Sequence, residues 1–108
     1  MSRIVTVYAT FGSADEAASI ARILVEERLA ACANILGPCR SIYRWQDAIE
    51  DAQEIAALFK TTAEGADSLI ARLGELHSYD VPAAVAWPIE RALPAYSQWV
   101  EDETETRR

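Results

Sequence analysis

ACANILGPCRSIYRWQDAIEDAQEIAALFKT, residues 31–61, decides the fold. It reads as one long β-hairpin. Ser41, Ile42, Tyr43, Arg44 and Trp45 end the first arm, Ile55, Leu58 and Phe59 close the second, and Gln46-Asp47-Ala48 is a polar tip between them. Arms of about 12 residues span roughly 40 Å at a strand's rise. A compact domain of this length has a radius of gyration of only about 13 Å, so the hairpin is expected to overhang its own domain. An overhanging ribbon with Tyr43 and Trp45 exposes backbone edges and aromatic area that soluble proteins cover with another chain. A homo-oligomer is the expectation. Gly37-Pro38 interrupts the first arm, and because proline donates nothing to a ladder, a bulge or bend is expected there.

Outward from the hairpin, residues 3–11 (RIVTVYATF) are apolar on both parities, as in a central strand buried on two faces. Ser13-Ala14-Asp15-Glu16 matches a capping box, and Ala17, Ile20, Ala21, Ile23 and Leu24 carry a helical stripe to about Ala30. Thr61-Thr62-Ala63-Glu64 repeats the capping pattern before a second stripe of Ala66, Leu69, Ile70, Leu73 and Leu76. Residues 79–82 form a turn, and residues 83–89 (AAVAWPI) form a strand whose Pro88 suits its end or a sheet edge. Pro94 opens a last helix sharing Tyr96, Trp99 and Val100, with Leu93 as a poor cap, and the tail EDETETRR is expected to fray. Strand, helix, strand, strand, helix, strand is the split βαβ order of an α+β, ferredoxin-like fold: an antiparallel sheet with crossover helices on one face, a long β2–β3 hairpin and an extra C-terminal helix. Residues 1–108 are expected to form a single domain.

The chain's 17 acidic and 10 basic residues give a net charge of −7, with Lys60 the sole lysine. That balance repels phosphate backbones and anionic lipid, so neither nucleic acid nor membrane is an expected partner. No secretory leader is visible, and a soluble, cytoplasmic protein is the expectation. Cys32 and Cys39, seven positions apart, would lie on opposite faces of a regular strand, about 20 Å apart, and therefore stay free thiols.

Several stretches together resemble the CutA family, the divalent-cation tolerance proteins. They are Ala14-Asp15-Glu16-Ala17, Leu29-Ala30-Ala31-Cys32-Ala33-Asn34, Ser41-Ile42-Tyr43-Arg44-Trp45, Lys60-Thr61, His77-Ser78-Tyr79-Asp80-Val81-Pro82, Pro88-Ile89 and Pro94-Ala95-Tyr96-Ser97-Gln98-Trp99. The resemblance implies a ferredoxin-like fold, a tight homotrimer whose hairpins continue neighbouring sheets, a cytoplasmic setting, a role in divalent metal tolerance with copper as a candidate ion, and no reaction. It also implies a comparison with trimeric PII-type signalling proteins. The family's metal ligands are a sulfur in the first strand, the histidine, and a glutamate after the proline. Here the first strand offers Tyr8, Ala9 and Thr10, Ala83 follows Pro82, and only His77 of that set remains.

His77 therefore has two readings, a metal ligand short of partners or a structural cap at the end of the second helix. Asp80 is the one carboxylate near it in sequence. Cys32 reads as a small buried hydrophobe; Cys39, beside Arg40, has no histidine near it in sequence to act as a base. Tyr43 and Trp45 suit interface packing, while Lys60, Tyr79 and Trp45 could line an intersubunit cleft holding an anion or small metabolite. Glu50, Asp51 and Glu54 read as a solvated surface near the tip. No phosphate loop, nucleophile triad or zinc-protease motif is present, so an enzyme is not expected. A metal or small-molecule response protein and an interaction scaffold both remain as functions.

Overall fold

A computed structural model describes residues 3–104. The elements are β1 (Ile4–Phe11), α1 (Ala14–Glu26), β2 (Cys32–Trp45), β3 (Ala48–Thr62), α2 (Ala66–Leu76), β4 (Ala84–Pro88) and α3 (Pro94–Glu103). The sheet order is β2-β3-β1-β4, antiparallel throughout. β1 is interior, as its two-sided apolar pattern demands, and β4 is an edge strand that ends on Pro88 opposite Val5.

One sheet face carries Val7, Ala9, Phe11, Ala57 and Phe59, packed against Ile20 and Leu24 of α1 and Leu69 and Leu73 of α2. Each of these larger side chains contributes about 1.5–3 kcal/mol by leaving water. On the opposite face α3 covers only one end, where Val100 packs with Ile4 and Ala31.

β3 pairs with β1 only from Ile55 onward, so Ala48–Glu54 and Cys39–Trp45 form a two-stranded ribbon beyond the sheet. The molecule accordingly measures 45 Å along its longest axis, with a radius of gyration of 14.3 Å. Its tip is a two-residue turn with φ of 51° at Gln46 and 67° at Asp47, the left-handed pair that matches strand twist.

The expected bulge lies between Ile35 and Gly37, where Leu36 is the extra residue and Gly37 takes φ 101°. It reverses parity along β2. Cys32 opposes Lys60 and Cys39 opposes Glu54, so the two thiols share a face rather than lying on opposite ones; both are free. Their six-residue offset on β3 still separates them by about 20 Å.

Three helix boundaries differ from expectation. α1 stops at Glu26 because Arg28 turns left-handed, at φ 61°, and a Schellman closure forms from Leu29 N–H to Leu24 O at 3.0 Å and from Arg28 N–H to Val25 O at 3.0 Å. The second capping box is absent: Thr61 remains in β3, Thr62 Oγ1 accepts from Gly65 N–H at 3.1 Å, and the helix starts after Gly65. The tail is ordered through residue 104, because buried Thr104 donates its hydroxyl to Val100 O at 3.0 Å. Residues 105–108 of the expected fray lie outside the described residues.

Candidate functional site

The segment after α2 is folded back onto β1 by His77. The imidazole, its side chain fully buried, lies parallel to Phe11 at 4.9 Å between ring centres and against Tyr79 at 4.6 Å. Nε2 sits 2.8 Å from the carbonyl of Thr10, which only accepts, so Nε2 carries the proton and donates. Nδ1 then holds the lone pair, which accepts Tyr79 N–H at 3.1 Å. Beside it, Glu16 takes the amide of Ser78 at 2.8 Å and its hydroxyl at 3.0 Å instead of reaching back to complete the capping box. Burial would raise the Glu16 carboxyl, but the two Ser78 hydrogen bonds, with His77 and the Gly12 backbone adding to them, hold the group below its usual range.

This arrangement does not fit a metal ion in the protomer. A ligating histidine needs a free lone pair, and His77 has committed one nitrogen as a donor and the other as an acceptor. Among the described residues no three His, Cys, Asp or Glu side chains converge. In the single chain His77 is a buried strut on β1: its backbone N–H closes α2 on Leu73 O at 3.0 Å, but its ring bonds Thr10 O and not the helix carbonyls, so the expected cap is made by the backbone alone.

Tyr79, positioned by His77, swings onto the face of the sheet away from α1 and α2. There a groove of about 700 Å³ opens between the ribbon and the post-α2 loop, lined among others by Tyr8, Tyr43, Trp45, Glu54, Tyr79 and Asp80. Tyr43 and Trp45 reach it because the bulge puts odd-numbered residues of the outer half of β2 on this face. Glu54 is 7% exposed, and Tyr79 Oη donates to its Oε2 at 2.8 Å. Burial, then that carboxylate, pushes the Tyr79 phenol well above its ordinary value. Tyr8 is raised too, by burial and then by the charges of Cys39 and Glu54.

Within the single chain Tyr43, Trp45 and Tyr79 line one groove and Lys60 lies away from it; the cleft expected for these residues is one between subunits. Lys60 opposes Thr6 and Cys32, six strand residues from Glu54, or about 20 Å away. Cys32 is there as well, its Sγ 3.4 Å from Tyr96 Oη, a phenol pushed up to about 12 by burial and that hydrogen bond. Glu54, read as a solvated carboxylate, is the buried floor of the groove. The sequence signal was slight: it is the last acidic residue before the apolar run Ile55-Ala56-Ala57-Leu58-Phe59. Only the register shows that its side chain shares a face with Tyr8, Thr10 and Tyr43.

Comparison with known proteins agrees with this fold. The chain is 44% identical over 98 residues to the divalent-cation tolerance protein CutA of Thermus thermophilus, an alignment covering 91% of this chain and 95% of that one. The crystal structure of CutA from Xylella fastidiosa superposes with a TM-score of 0.92 at 40% identity, covering 96% of this chain and all of that one. A structure from Archaeoglobus fulgidus, described as a periplasmic divalent cation tolerance protein, gives a TM-score of 0.90 at 37% identity, covering 94% and 99%. The family described as CutA1 divalent ion tolerance protein matches residues 5–103, and the chain belongs to that family.

Proposed function

We propose that this protein is a non-enzymatic, homotrimeric member of its family acting in divalent-cation tolerance, without a metal site at His77 of the single chain. The observation that carries the assembly is the ribbon. It projects beyond the sheet, and on the parity opposite Tyr43 and Trp45 it presents Ile42 at 64% and Ile49 at 60% exposure, apolar area that an isolated chain would leave in water. The family resemblance implies three copies. A non-enzymatic role is supported by the state of the nucleophiles and bases: both nitrogens of His77 are engaged, and Cys39 Sγ has Ser41 Oγ, not a base, as its 3.9 Å partner. A cytoplasmic setting is what the family resemblance implies.

The test is rescue. A bacterial strain sensitised to copper, cobalt or zinc by deletion of its own family member should regain growth when this chain is expressed, and a variant with Ile42→Glu and Ile49→Glu should fail. Absence of rescue with soluble wild-type protein present would overturn the proposal.

A further inference from the structure

Glu54 is a buried acid that its own chain leaves without a cation. It is 7% exposed before any second copy covers it, and its carboxylate accepts the Tyr79 hydroxyl at 2.8 Å. None of the ion pairs among the described residues includes it. A neighbouring copy laid over this face removes still more water from the carboxylate, and buried charges persist in proteins where they are paired. Association thus increases the need for a counter-charge.

The chain's own cations narrow its source. Arg22, Arg28, Arg40 and Arg72 are already paired with Glu26, Glu103, Asp51 and Glu27. Lys60 is about 20 Å along the strand from Glu54. Among the described residues Arg3, Arg44 and Arg91 join no ion pair, and Arg3 and Arg91 belong to the body of the domain, before β1 and after β4. Arg44 stands on the ribbon. It is exposed, shares the parity of Ile42 and lies opposite Ile49 in the register. Those isoleucines are the apolar area that the proposed trimer covers, so their closure on a second copy carries Arg44 in with them.

Arg44 cannot serve its own Glu54. The register partner of Glu54 is Cys39, and five residues of β2, about 17 Å, separate Cys39 from Arg44. Between copies the reach is free, because contacts around a threefold axis run head to tail and set one surface of each chain against a different surface of the next. One Arg44 then meets one Glu54, and the ring closes after three. The chemistry also suits a guanidinium. Tyr79 occupies Oε2 and leaves Oε1 to accept, while the rings of Tyr43 and Tyr79 offer faces on which a planar cation stacks.

We infer that Arg44 of one copy pairs with Glu54 of its neighbour, so that each groove is completed by a side chain of the next chain. The inference rests on the trimer proposed above.

The test is a double-mutant cycle on the full-length protein, reading the dissociation constant of the assembly from light-scattering mass on dilution in urea, which carries no charge. Arg44→Gln and Glu54→Gln should each raise that constant about tenfold or more, and the double variant should be no weaker than the weaker single one. Additive effects, in a wild type with the mass of three chains, would overturn the pair and leave the trimer standing. A wild-type mass of one chain would overturn both. The cycle of Arg44→Gln with Asp80→Asn, at the groove's other acid, should be additive; coupling there in place of Glu54 would also overturn the inference. Arg44 is exposed in the chain, so its variants stay informative if Glu54→Gln fails to fold. Arg44→Lys should regain part of what Arg44→Gln loses, and an Arg44→Gln assembly as tight as wild type would overturn the inference by itself.

Discussion

Replacing His77 with alanine separates a structural histidine from a metal ligand. The wild-type ring makes two hydrogen bonds, at 2.8 Å to Thr10 O and 3.1 Å from Tyr79 N–H, and stacks on Phe11 at 4.9 Å. Each hydrogen bond is worth about 1 kcal/mol net. Emptying the ring's volume beside Phe11 costs roughly another 1–2 kcal/mol. His77→Ala is therefore expected to lose about 3–4 kcal/mol, a large part of the 5–15 kcal/mol typical of a domain. His77→Phe restores volume and stacking but leaves both polar partners unmatched, so it should lose about 2 kcal/mol. Guanidinium unfolding, followed by tryptophan fluorescence at one fixed protein concentration and in chelator, measures both. The chelator matters, because a histidine whose main task was to bind metal would show little effect without metal. A His77→Ala variant within about 0.5 kcal/mol of wild type would refute the strut.

Other substitutions test neighbouring features. Glu16 has its carboxyl held below the ordinary 4.5, so its contribution is present above that value and lost as pH falls through the folded-state pKa. Wild-type stability should thus drop on acidification below about pH 4.5, and Glu16→Gln should flatten that slope in unfolding curves taken at successive pH values. Gly37→Ala meets nothing within 4 Å, yet φ 101° makes it strained; a loss of about 1–2 kcal/mol in the same assay is expected, and no loss would show that the bulge tolerates a side chain. Arg28→Gly should gain about 0.5–1 kcal/mol at the left-handed end of α1, because the exposed 3.6 Å pairing of Arg28 with Glu103 contributes little; a lower melting temperature would contradict this.

Element order was readable because each signal is local. Two-sided apolarity marked β1, Ser13 truly caps α1 by accepting from Glu16 N–H at 3.1 Å, and Gly37-Pro38 announced the bulge. What escaped the sequence depends on pairing. Thr61-Thr62 resembles a helix start, but Ile4 and Val5 hold both threonines in the ladder. The face shared by Cys32 and Cys39 follows from one inserted residue, which reverses every side chain beyond it. The same reversal brings Tyr43 and Trp45 over Glu54, so the composition of the groove could not be read until the register was known. Lys60 shows the converse: it shares a strand and a face with Glu54, yet six residues of rise remove it from the site.

Light-scattering mass of the purified protein in solution tests the assembly most directly. Association through the exposed ribbon, in the three copies that the family resemblance implies, predicts three times the 11.9 kDa of the chain, falling on substitution of Ile42 and Ile49 by glutamate. A wild-type mass equal to that of one chain at micromolar concentration would contradict it.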